Sequence, residues 1–304
     1  MNTKYKKVEE YVDLSRIKYD EPMKKHTTIR IGGPADVLVL PETKEEIINV
    51  LKYAKEENIP ITIIGNGSKL LVLDEGIRGI VIKIGSKMSN VIIDKECIIF
   101  GAGITMPRLA AIAKDNALSG LEFSAGIPGN LGGGIYMNAG AYGSELSNVI
   151  EEVTYIDENL EIKTLKNEEC NFGYRRSIFR DMTNPIIIEG KVKLKRGNKE
   201  DIEELMRENN TLRKEKQPLE YPNAGSTFKR PEGFFVGKII DDMGLKGYSI
   251  GDAQISTKHS GFIVNKGNAT AKDVVELIEY IKKKAYETFN VKLEEEIIVL
   301  KKGE

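Results

Sequence analysis

The sequence predicts a protein of mixed helices and strands, organised as two or three sub-domains. Its 304 residues exceed the usual size of a single hydrophobic core. With 40% hydrophobic and 30% charged residues, the composition is typical of a globular protein. Strand-like and helix-like periodicities alternate in the first third of the chain, short β segments fill the middle, and helices dominate the end.

The first third predicts a βαβ-like unit. Residues 35–40 form a strand rich in Val and Leu, and Thr43 with Glu46 forms a capping box for the helix that follows. A second apolar strand, 61–64, ends in the turn 65–68, where ligands of open α/β sheets tend to bind.

The middle of the chain, from about residue 80 to residue 195, predicts short strands. The segments 91–103 and 153–165 each carry a turn-like polar pair at the centre, which indicates hairpins. A helix is predicted from about Thr105, with Pro107 near its first turn and Gly120 just past its end.

The last third predicts three helices and several strands. The helices are a charged one over 201–216, one over 234–243 stopped by Gly244, and a long one capped by Thr270 and Asp273. Strands are expected near residues 253 and 262 and over 293–300.

Rare residues and the overall charge exclude several functions. The two cysteines, Cys97 and Cys170, form no CxxC pair, and the two histidines, His26 and His259, are too few for a three-histidine metal site. We expect no metal site, and we expect both cysteines to be small core residues. A net charge of −1 with interspersed charges argues against nucleic acid as a partner. No stretch is apolar and long enough to span a bilayer, and the N-terminus lacks a signal peptide, so we expect a cytoplasmic protein without a membrane partner.

Glycine is concentrated between residues 126 and 143, where seven of the 29 glycines occur, at positions 126, 129, 132, 133, 134, 140 and 143. Such a segment lets the backbone approach a ligand closely and present N–H groups to a diphosphate. The turn Gly101-Ala102-Gly103 could add a second set of N–H donors before the Thr105 helix, or serve only as a tight turn. Neither segment matches GxGxxG, so an ordinary Rossmann fold is disfavoured and the ligand is a nucleotide held in another way.

The motifs, taken in order, resemble one enzyme family. The series IGGPAD, IGNGSKLL, FGAG, SAGIPGNLGGGIYMNAGAYG, GYRRSIF, PNAGSTFK, GLKG, AQISTKHSGFIVN and LEEEI runs from about residue 27 to residue 298. It resembles the UDP-N-acetylenolpyruvoylglucosamine reductases, in the shorter form of that family. The resemblance implies an α+β fold, the FAD-binding fold of the vanillyl-alcohol oxidase superfamily, with an additional α+β substrate-binding domain. The implied division is 1–84 together with 297–304, then 85–214, then the substrate-binding domain 215–296.

The resemblance also implies the ligands. FAD, bound non-covalently, would accept a hydride from NADPH and pass it to the enolpyruvyl ether of a UDP-sugar, giving UDP-N-acetylmuramate for peptidoglycan. We expect a monomer. The implied FAD contacts are Ile64, Gly65, Asn66, Gly67, Ser68, Gly101, Gly103, Ser124, Gly126, Ile127, Pro128, Gly129, Gly132, Gly133, Asn138, Gly140 and Ala141. The implied substrate contacts are Tyr174, Asn223, Lys238, Gln254 and His259.

Three residues match the catalytic residues of the family. Ser226 corresponds to the proton donor, and a serine can act as an acid only toward a strongly basic enolate. Arg175 corresponds to the arginine that stabilises the developing negative charge. Glu296 corresponds to the glutamate of the Leu-x-x-Glu motif, and strand alternation would place Glu295 on the opposite face. In its protonated form Glu296 could donate a hydrogen bond to the enolate oxygen.

Other interpretations remain open from the residues alone. A serine in a glycine-containing loop is usually a turn former, and an exposed Tyr-Arg-Arg loop is usually solvated, which we expect for Arg176. The chain could also be another FAD-dependent oxidase or dehydrogenase of the same fold, or a nucleotide-binding protein without catalytic activity.

Overall fold

The computed structural model describes residues 3–300. In this range, the fold contains both strands and α-helices. The strands are β1 (Ile17–Pro22), β2 (Pro34–Val39), β3 (Ile61–Ile64), β4 (Leu70–Val72), β5 (Ile77–Lys83), β6 (Val91–Asp94), β7 (Cys97–Gly101), β8 (Leu118–Ser119), β9 (Gly140–Ala141), β10 (Ser144–Glu145), β11 (Ile150–Ile156), β12 (Ile162–Lys166), β13 (Ile186–Lys193), β14 (Lys195–Arg196), β15 (Asn223–Ser226), β16 (Ser249–Ile250), β17 (Ala253–Ile255), β18 (Phe262–Asn265) and β19 (Ile298–Leu300). The α-helices are α1 (Lys44–Glu56), α2 (Met106–Asp115), α3 (Leu131–Tyr136), α4 (Lys199–Lys216), α5 (Val236–Asp242) and α6 (Ala271–Phe289).

The chain divides into two compact units. Unit 1 comprises Met1–Tyr19, Val37–Asn66 and Gly79–Arg213, and unit 2 comprises Asp20–Asp36, Gly67–Arg78 and Lys214–Glu304. The three-part division expected from the family stays a prediction, and its positions 1, 2 and 301–304 lie outside the described residues.

Unit 1 contains a five-stranded sheet with the order β12-β11-β13-β7-β6. The two predicted hairpins are confirmed, because β6 pairs antiparallel with β7 and β11 pairs antiparallel with β12. Strand β13 joins them by pairing with both β11 and β7. The core of unit 1 contains aliphatic side chains and the fully buried Phe100 and Phe179. Cys170 is also fully buried in this cluster, as expected for a core cysteine.

Unit 2 contains an antiparallel sheet with the order β15-β18-β17-β16 and a parallel pair formed by β4 and β19. Helix α6 supplies much of its core, because Val274, Leu277, Ile278, Ile281 and Ala285 recur at helical spacing and are all buried. The predicted capping box of this helix is confirmed, with Thr270 and Asp273 each accepting the other's backbone N–H.

A further four-stranded sheet has the order β1-β2-β5-β3, in which β3 and β5 are parallel. The predicted strands 35–40 and 61–64 and the Thr43 cap of α1 are confirmed. Strand β5 lies between β2 and β3, so the two strands of the predicted βαβ-like unit are not neighbours.

Two local predictions were wrong. Helix α2 ends at Asp115, and the left-handed residue that follows it is Ala117 with φ +53°, so Gly120 lies farther along the chain. The terminal strand is also shorter than predicted, since only Ile298–Leu300 pair with β4. No helix among residues 3–300 is both long and apolar enough to cross a membrane.

Candidate active site

Three glycine-rich segments of unit 1 pack against one another through their backbones. The N–H of Gly132 donates to Ala102 O (2.9 Å), and the N–H of Leu131 donates to Ile104 O (2.8 Å). The buried side chain of Asn130 adds the third segment, because its Oδ1 accepts the N–H of Asn66 at 3.0 Å. The segments 64–66, 101–104 and 126–133, each of which contains predicted FAD contacts, are therefore brought together.

The turn Gly101-Ala102-Gly103 does not offer free N–H donors, which corrects one expectation. Its three N–H groups donate to the backbone carbonyls of Asn90, Ile188 and Met88. A Cβ on Gly103 would lie 1.8 Å from Gly85 O, so this glycine permits close backbone packing. The N–H groups of Gly101 and Gly103 are thus used within the fold, and a ligand could contact only the remaining atoms of these two residues.

Gly126 lies against two side chains of α4 that the sequence did not single out. A Cβ on Gly126 would be 2.7 Å from Asn210 Oδ1 and 3.1 Å from Arg213 Cδ. Burial lowers the pKa of Arg213 and raises the pKa of the nearby Tyr142. A half-buried guanidinium beside a glycine-rich segment fits an anionic group such as the diphosphate of FAD. The residues of unit 1 are therefore compatible with this cofactor.

The side chain of Asn138 is used inside the protein. Its Nδ2 donates to Glu145 Oε1 (2.8 Å) and Gly173 O (3.0 Å), and its Oδ1 accepts the N–H of Ser147 (3.0 Å). Both amide hydrogens are thus occupied within the protein, and the contact of Asn138 with FAD stays a prediction. The hydroxyl of Ser124 is buried and donates to Leu121 O at 2.7 Å.

The remaining predicted FAD contacts lie in turns or at helix ends. Gly67, with φ +65°, begins the part of this region that belongs to unit 2, and a Cβ on it would lie 2.0 Å from His26 O. Gly133 in α3 has room around it, because the nearest atom to an added Cβ is Asn130 Oδ1 at 3.9 Å. The others are Ile64 and Gly65 at the end of β3, Ser68 after Gly67, Ile127, Pro128 and Gly129 before α3, and Gly140 and Ala141 in β9.

Arg175 and Tyr174 form the tip of a tight hairpin turn in unit 1. Gly173 and Arg176 exchange backbone hydrogen bonds across the turn, and Arg175 has φ +55°, a conformation rare for a residue with a side chain. The Arg175 guanidinium lies 5.1 Å from the centre of the Tyr174 ring, and its Nη2 donates to Gly140 O at 2.8 Å. Arg176 points to solvent and pairs with Asp181, as predicted.

Ser226 ends β15 in unit 2, after a loop held by Asn223. The Asn223 Oδ1 accepts the N–H of Gly225 (2.9 Å), and its Nδ2 donates to Tyr221 O (2.9 Å) and Pro218 O (3.2 Å). The side-chain amide of Asn223 therefore fixes the turn before Ser226. The contact of Asn223 with the substrate stays a prediction. The Ser226 hydroxyl itself is half-buried and makes no hydrogen bond to any of residues 3–300.

Three consecutive glutamates each pair with a different lysine. Glu294 pairs with Lys229, Glu295 with Lys282 at 2.8 Å, and Glu296 with Lys69 at 2.7 Å. The expected strand alternation is wrong here, because residues 293–297 are irregular apart from a single bridge between Phe228 and Glu295. The Glu296 side chain is the least exposed of the three, at 7%.

Lys69 connects the two predicted catalytic residues of unit 2. Its Nζ lies 2.7 Å from Glu296 Oε1 and donates to Ser226 O at 3.0 Å. Apart from its place after the turn 65–68, no sequence pattern indicates a functional role for Lys69.

Two of the other predicted substrate contacts, Lys238 and His259, line a pocket of about 370 Å³ in unit 2, and Gln254 does not. Gly237, Lys238, Asp241, Asp242, Lys246, Lys258, His259 and Ser260 line it. Burial lowers the pKa of His259, whose Nδ1 accepts the N–H of Gly261 at 3.1 Å. Lys238 pairs with Asp242, while the Gln254 amide donates to Gly247 O and Ser249 Oγ.

Two family models match the chain, and named relatives cover nearly all of it. The model of an FAD binding domain matches residues 35–166, and the model of the UDP-N-acetylenolpyruvoylglucosamine reductase C-terminal domain matches residues 217–300. A reductase of that name from Caldanaerobacter subterraneus subsp. tengcongensis is 51% identical over 294 residues, 97% of each chain. One from Syntrophomonas wolfei is 46% identical over 97% of this chain and 99% of its own.

A solved structure is similar over nearly the same range. The UDP-N-acetylenolpyruvylglucosamine reductase of Thermus caldophilus matches with a TM-score of 0.81 at 38% identity, covering 92% of this chain and 97% of that one. These similarities confirm the predicted FAD-binding α+β fold and decide against a protein without catalytic activity. The chain belongs to the UDP-N-acetylenolpyruvoylglucosamine reductase family and is an FAD-containing, NADPH-dependent oxidoreductase of peptidoglycan synthesis.

Proposed function

We propose that this reductase protonates its substrate with Ser226 after hydride transfer, assisted by Arg175 and Glu296. FAD, when bound, supplies a hydride that it has received from NADPH. Addition of that hydride to C3 of the enolpyruvyl ether moves an electron pair toward C2 and its carboxylate. The protein must then stabilise this charge and deliver one proton to C2, which completes the lactyl ether.

One observation carries the role of Ser226. Its hydroxyl is half-buried, ends a strand, follows a turn held by three hydrogen bonds of Asn223, and has no hydrogen-bond partner among residues 3–300. A hydroxyl that is positioned but not already donating is available to a basic carbon. The proton that leaves Ser226 must return from solvent before the next turnover.

Arg175 is suited to the developing negative charge. Its guanidinium is permanently charged, half-buried and held by Gly140 O and the Tyr174 ring. The left-handed backbone of Arg175 costs on the order of 1–3 kcal/mol, a strain that is often found at functional sites. Tyr174 is 55% exposed, which suits a contact with the substrate.

The pocket around Lys238, Lys246 and His259 is suited to bind anionic parts of the substrate. Lysine side chains act there as point charges, and a neutral His259 whose Nδ1 accepts a hydrogen bond can donate through Nε2.

The test separates the two half-reactions. Under anaerobic conditions, Ser226→Ala should be reduced by NADPH at nearly the wild-type rate, while reoxidation by the enolpyruvyl substrate slows by about 10²- to 10⁴-fold. Stopped-flow absorbance of the flavin measures both rates, and Ser15→Ala, at an exposed serine, is the control. Equal loss in both half-reactions would contradict the role of Ser226. Failure of the wild type to be reoxidised would contradict the proposed reaction.

We also propose a cytoplasmic monomer. Two free cysteines fit a reducing compartment, where the nucleotide substrates occur as well. Sedimentation of the purified protein over a range of concentrations tests the monomeric state.

A further inference from the structure

Lys69 occupies a position that neither the sequence pattern nor the expected catalytic set assigns. It follows Ser68 and directly precedes β4, and its side chain is 20% exposed. Its backbone is fixed by the parallel ladder, because Lys69 O accepts the N–H of Ile298 at 2.7 Å next to the pairing of β4 with β19. The base of the side chain is thus tied to the strand that follows Glu296.

The ammonium of Lys69 contacts both predicted catalytic residues of unit 2. It lies 2.7 Å from Glu296 Oε1 and donates to Ser226 O at 3.0 Å. Gly225 makes room for it, since a Cβ there would lie 3.0 Å from Lys69 Nζ, and its φ of +74° favours glycine.

The charge of Lys69 has a direct consequence for Glu296. Only 7% of the Glu296 side chain is exposed, and a charged group in such a setting is costly to bury without a partner. The Lys69 ammonium, 2.7 Å from Oε1, is such a partner. The backbone also joins the two sites, because the N–H of Glu296 donates to Thr227 O at 2.8 Å, one residue after Ser226.

We propose that Lys69 is a positioning residue for proton delivery, holding the Glu296 carboxyl group and the Ser226 backbone in one fixed arrangement. The proposal rests on the proposed role of Ser226 in the second half-reaction. Without the ammonium, Glu296 loses its ion pair with Lys69 and the carbonyl of Ser226 loses a donor. A small displacement of a catalytic group is enough to slow a reaction about 10²-fold.

The neighbouring glutamates supply matched controls. Lys69→Met, Lys229→Met and Lys282→Met each remove one ammonium from one of three consecutive glutamates. Lys69→Met should slow reoxidation of the reduced flavin by the enolpyruvyl substrate about 10- to 100-fold, with reduction by NADPH and flavin content unchanged. The two control variants should reoxidise within about twofold of the wild type, because Glu294 and Glu295 are more exposed than Glu296 and are not predicted catalytic residues.

Two further variants test the charge and the pathway. Lys69→Arg should recover most of the reoxidation rate, because it keeps the cation. In a double-mutant cycle, Lys69→Met should add little to the loss caused by Glu296→Gln if Lys69 acts through that carboxylate.

The inference is overturned if Lys69→Met leaves reoxidation unchanged, if it slows both half-reactions equally, or if Lys69→Arg loses as much as Lys69→Met. Should Lys69→Met fail to fold, Lys69→Arg is compared with the wild type instead, and a folded Lys69→Arg whose reoxidation is slowed about 10-fold or more overturns the inference. A wild-type enzyme whose reduced flavin is not reoxidised by the substrate would instead contradict the proposed function.

Discussion

The imidazole of His259 shows how one buried side chain makes stability depend on pH. Burial lowers its pKa below the ordinary value of 6.5, and its Nδ1 accepts the N–H of Gly261 at 3.1 Å. Asp241 opposes this shift and Lys246 supports it. Protonation would turn the acceptor nitrogen into a donor, so the folded protein resists it.

The sign of the pH effect follows from proton binding. The unfolded chain protonates His259 near pH 6.5, but the folded chain does so only at a lower pH, so folding is weakened as pH falls through and below 6.5. We expect the urea midpoint to fall between about pH 7.5 and about pH 5.5, and to fall less in His259→Gln. Identical pH dependence of the two proteins would contradict this role of His259.

Several functional assignments could be made from single residues, and others could not. The Asn223-Ala-Gly225 pattern is a local turn signal, and the structure contains the turn, in which Asn223 Oδ1 accepts the N–H of Gly225. Lys69 had no comparable signal, since its partners Ser226 and Glu296 lie more than 150 residues away in the sequence.

The N-terminus of α6 is capped more extensively than its sequence indicates. Thr270 and Asp273 form the local box, but Asp74 also accepts the N–H of Ala271 at 3.0 Å and of Lys272 at 3.1 Å. Its charge lies at the positive end of the helix dipole, where a carboxylate is stabilising. Asp74 thus ties the segment after β4 to the longest helix of unit 2.

Removal of this long-range cap should destabilise the protein. We expect Asp74→Ala to lower the free energy of unfolding by about 1–2 kcal/mol, since two helix N–H groups lose their acceptor. Urea denaturation measures the change, and Asp94→Ala, at an exposed position of β6, should stay within about 0.5 kcal/mol of the wild type. A loss no greater than that of Asp94→Ala would show that solvent replaces the cap.

Elements were predictable where their signals are local. Helix caps at Thr43, Thr105 and Thr270 and the two hairpins of unit 1 follow from residues a few positions apart. The insertion of β5 between β2 and β3 and the parallel pairing of β4 with β19 depend on contacts between distant segments. Periodicity carries no information on such pairings.

At the scale of the whole molecule, the order of motifs predicted the family. The role of each glycine, in contrast, depends on which atoms surround it in the fold. Gly103 and Gly133 were both predicted to contact FAD. A Cβ on Gly103 would lie 1.8 Å from a backbone oxygen, but a Cβ on Gly133 meets nothing closer than 3.9 Å. Gly103 is therefore required by the fold itself, whereas Gly133 is not explained by packing among residues 3–300.

This difference predicts how FAD binding contributes to stability. A ligand that binds only the folded state stabilises it by RT ln(1 + [L]/Kd), about 2.7 kcal/mol at 100 times Kd. If Gly133 leaves space for FAD, Gly133→Ala apoprotein should be as stable as the wild type, or more stable by up to about 1 kcal/mol because alanine favours the helix. Its gain on adding FAD should be smaller.

Thermal unfolding of apoprotein with increasing FAD separates these two effects. Gly85→Ala is the control, because its added Cβ would lie 4.0 Å from the nearest atom and Gly85 is not among the predicted FAD contacts. Gly85→Ala should gain as much thermal stability on adding FAD as the wild type. Gly133→Ala should gain less, and its affinity for FAD, measured by flavin fluorescence, should be correspondingly lower. An unchanged affinity would remove Gly133 from the FAD site, and a destabilised apoprotein would mean that its role lies in the fold.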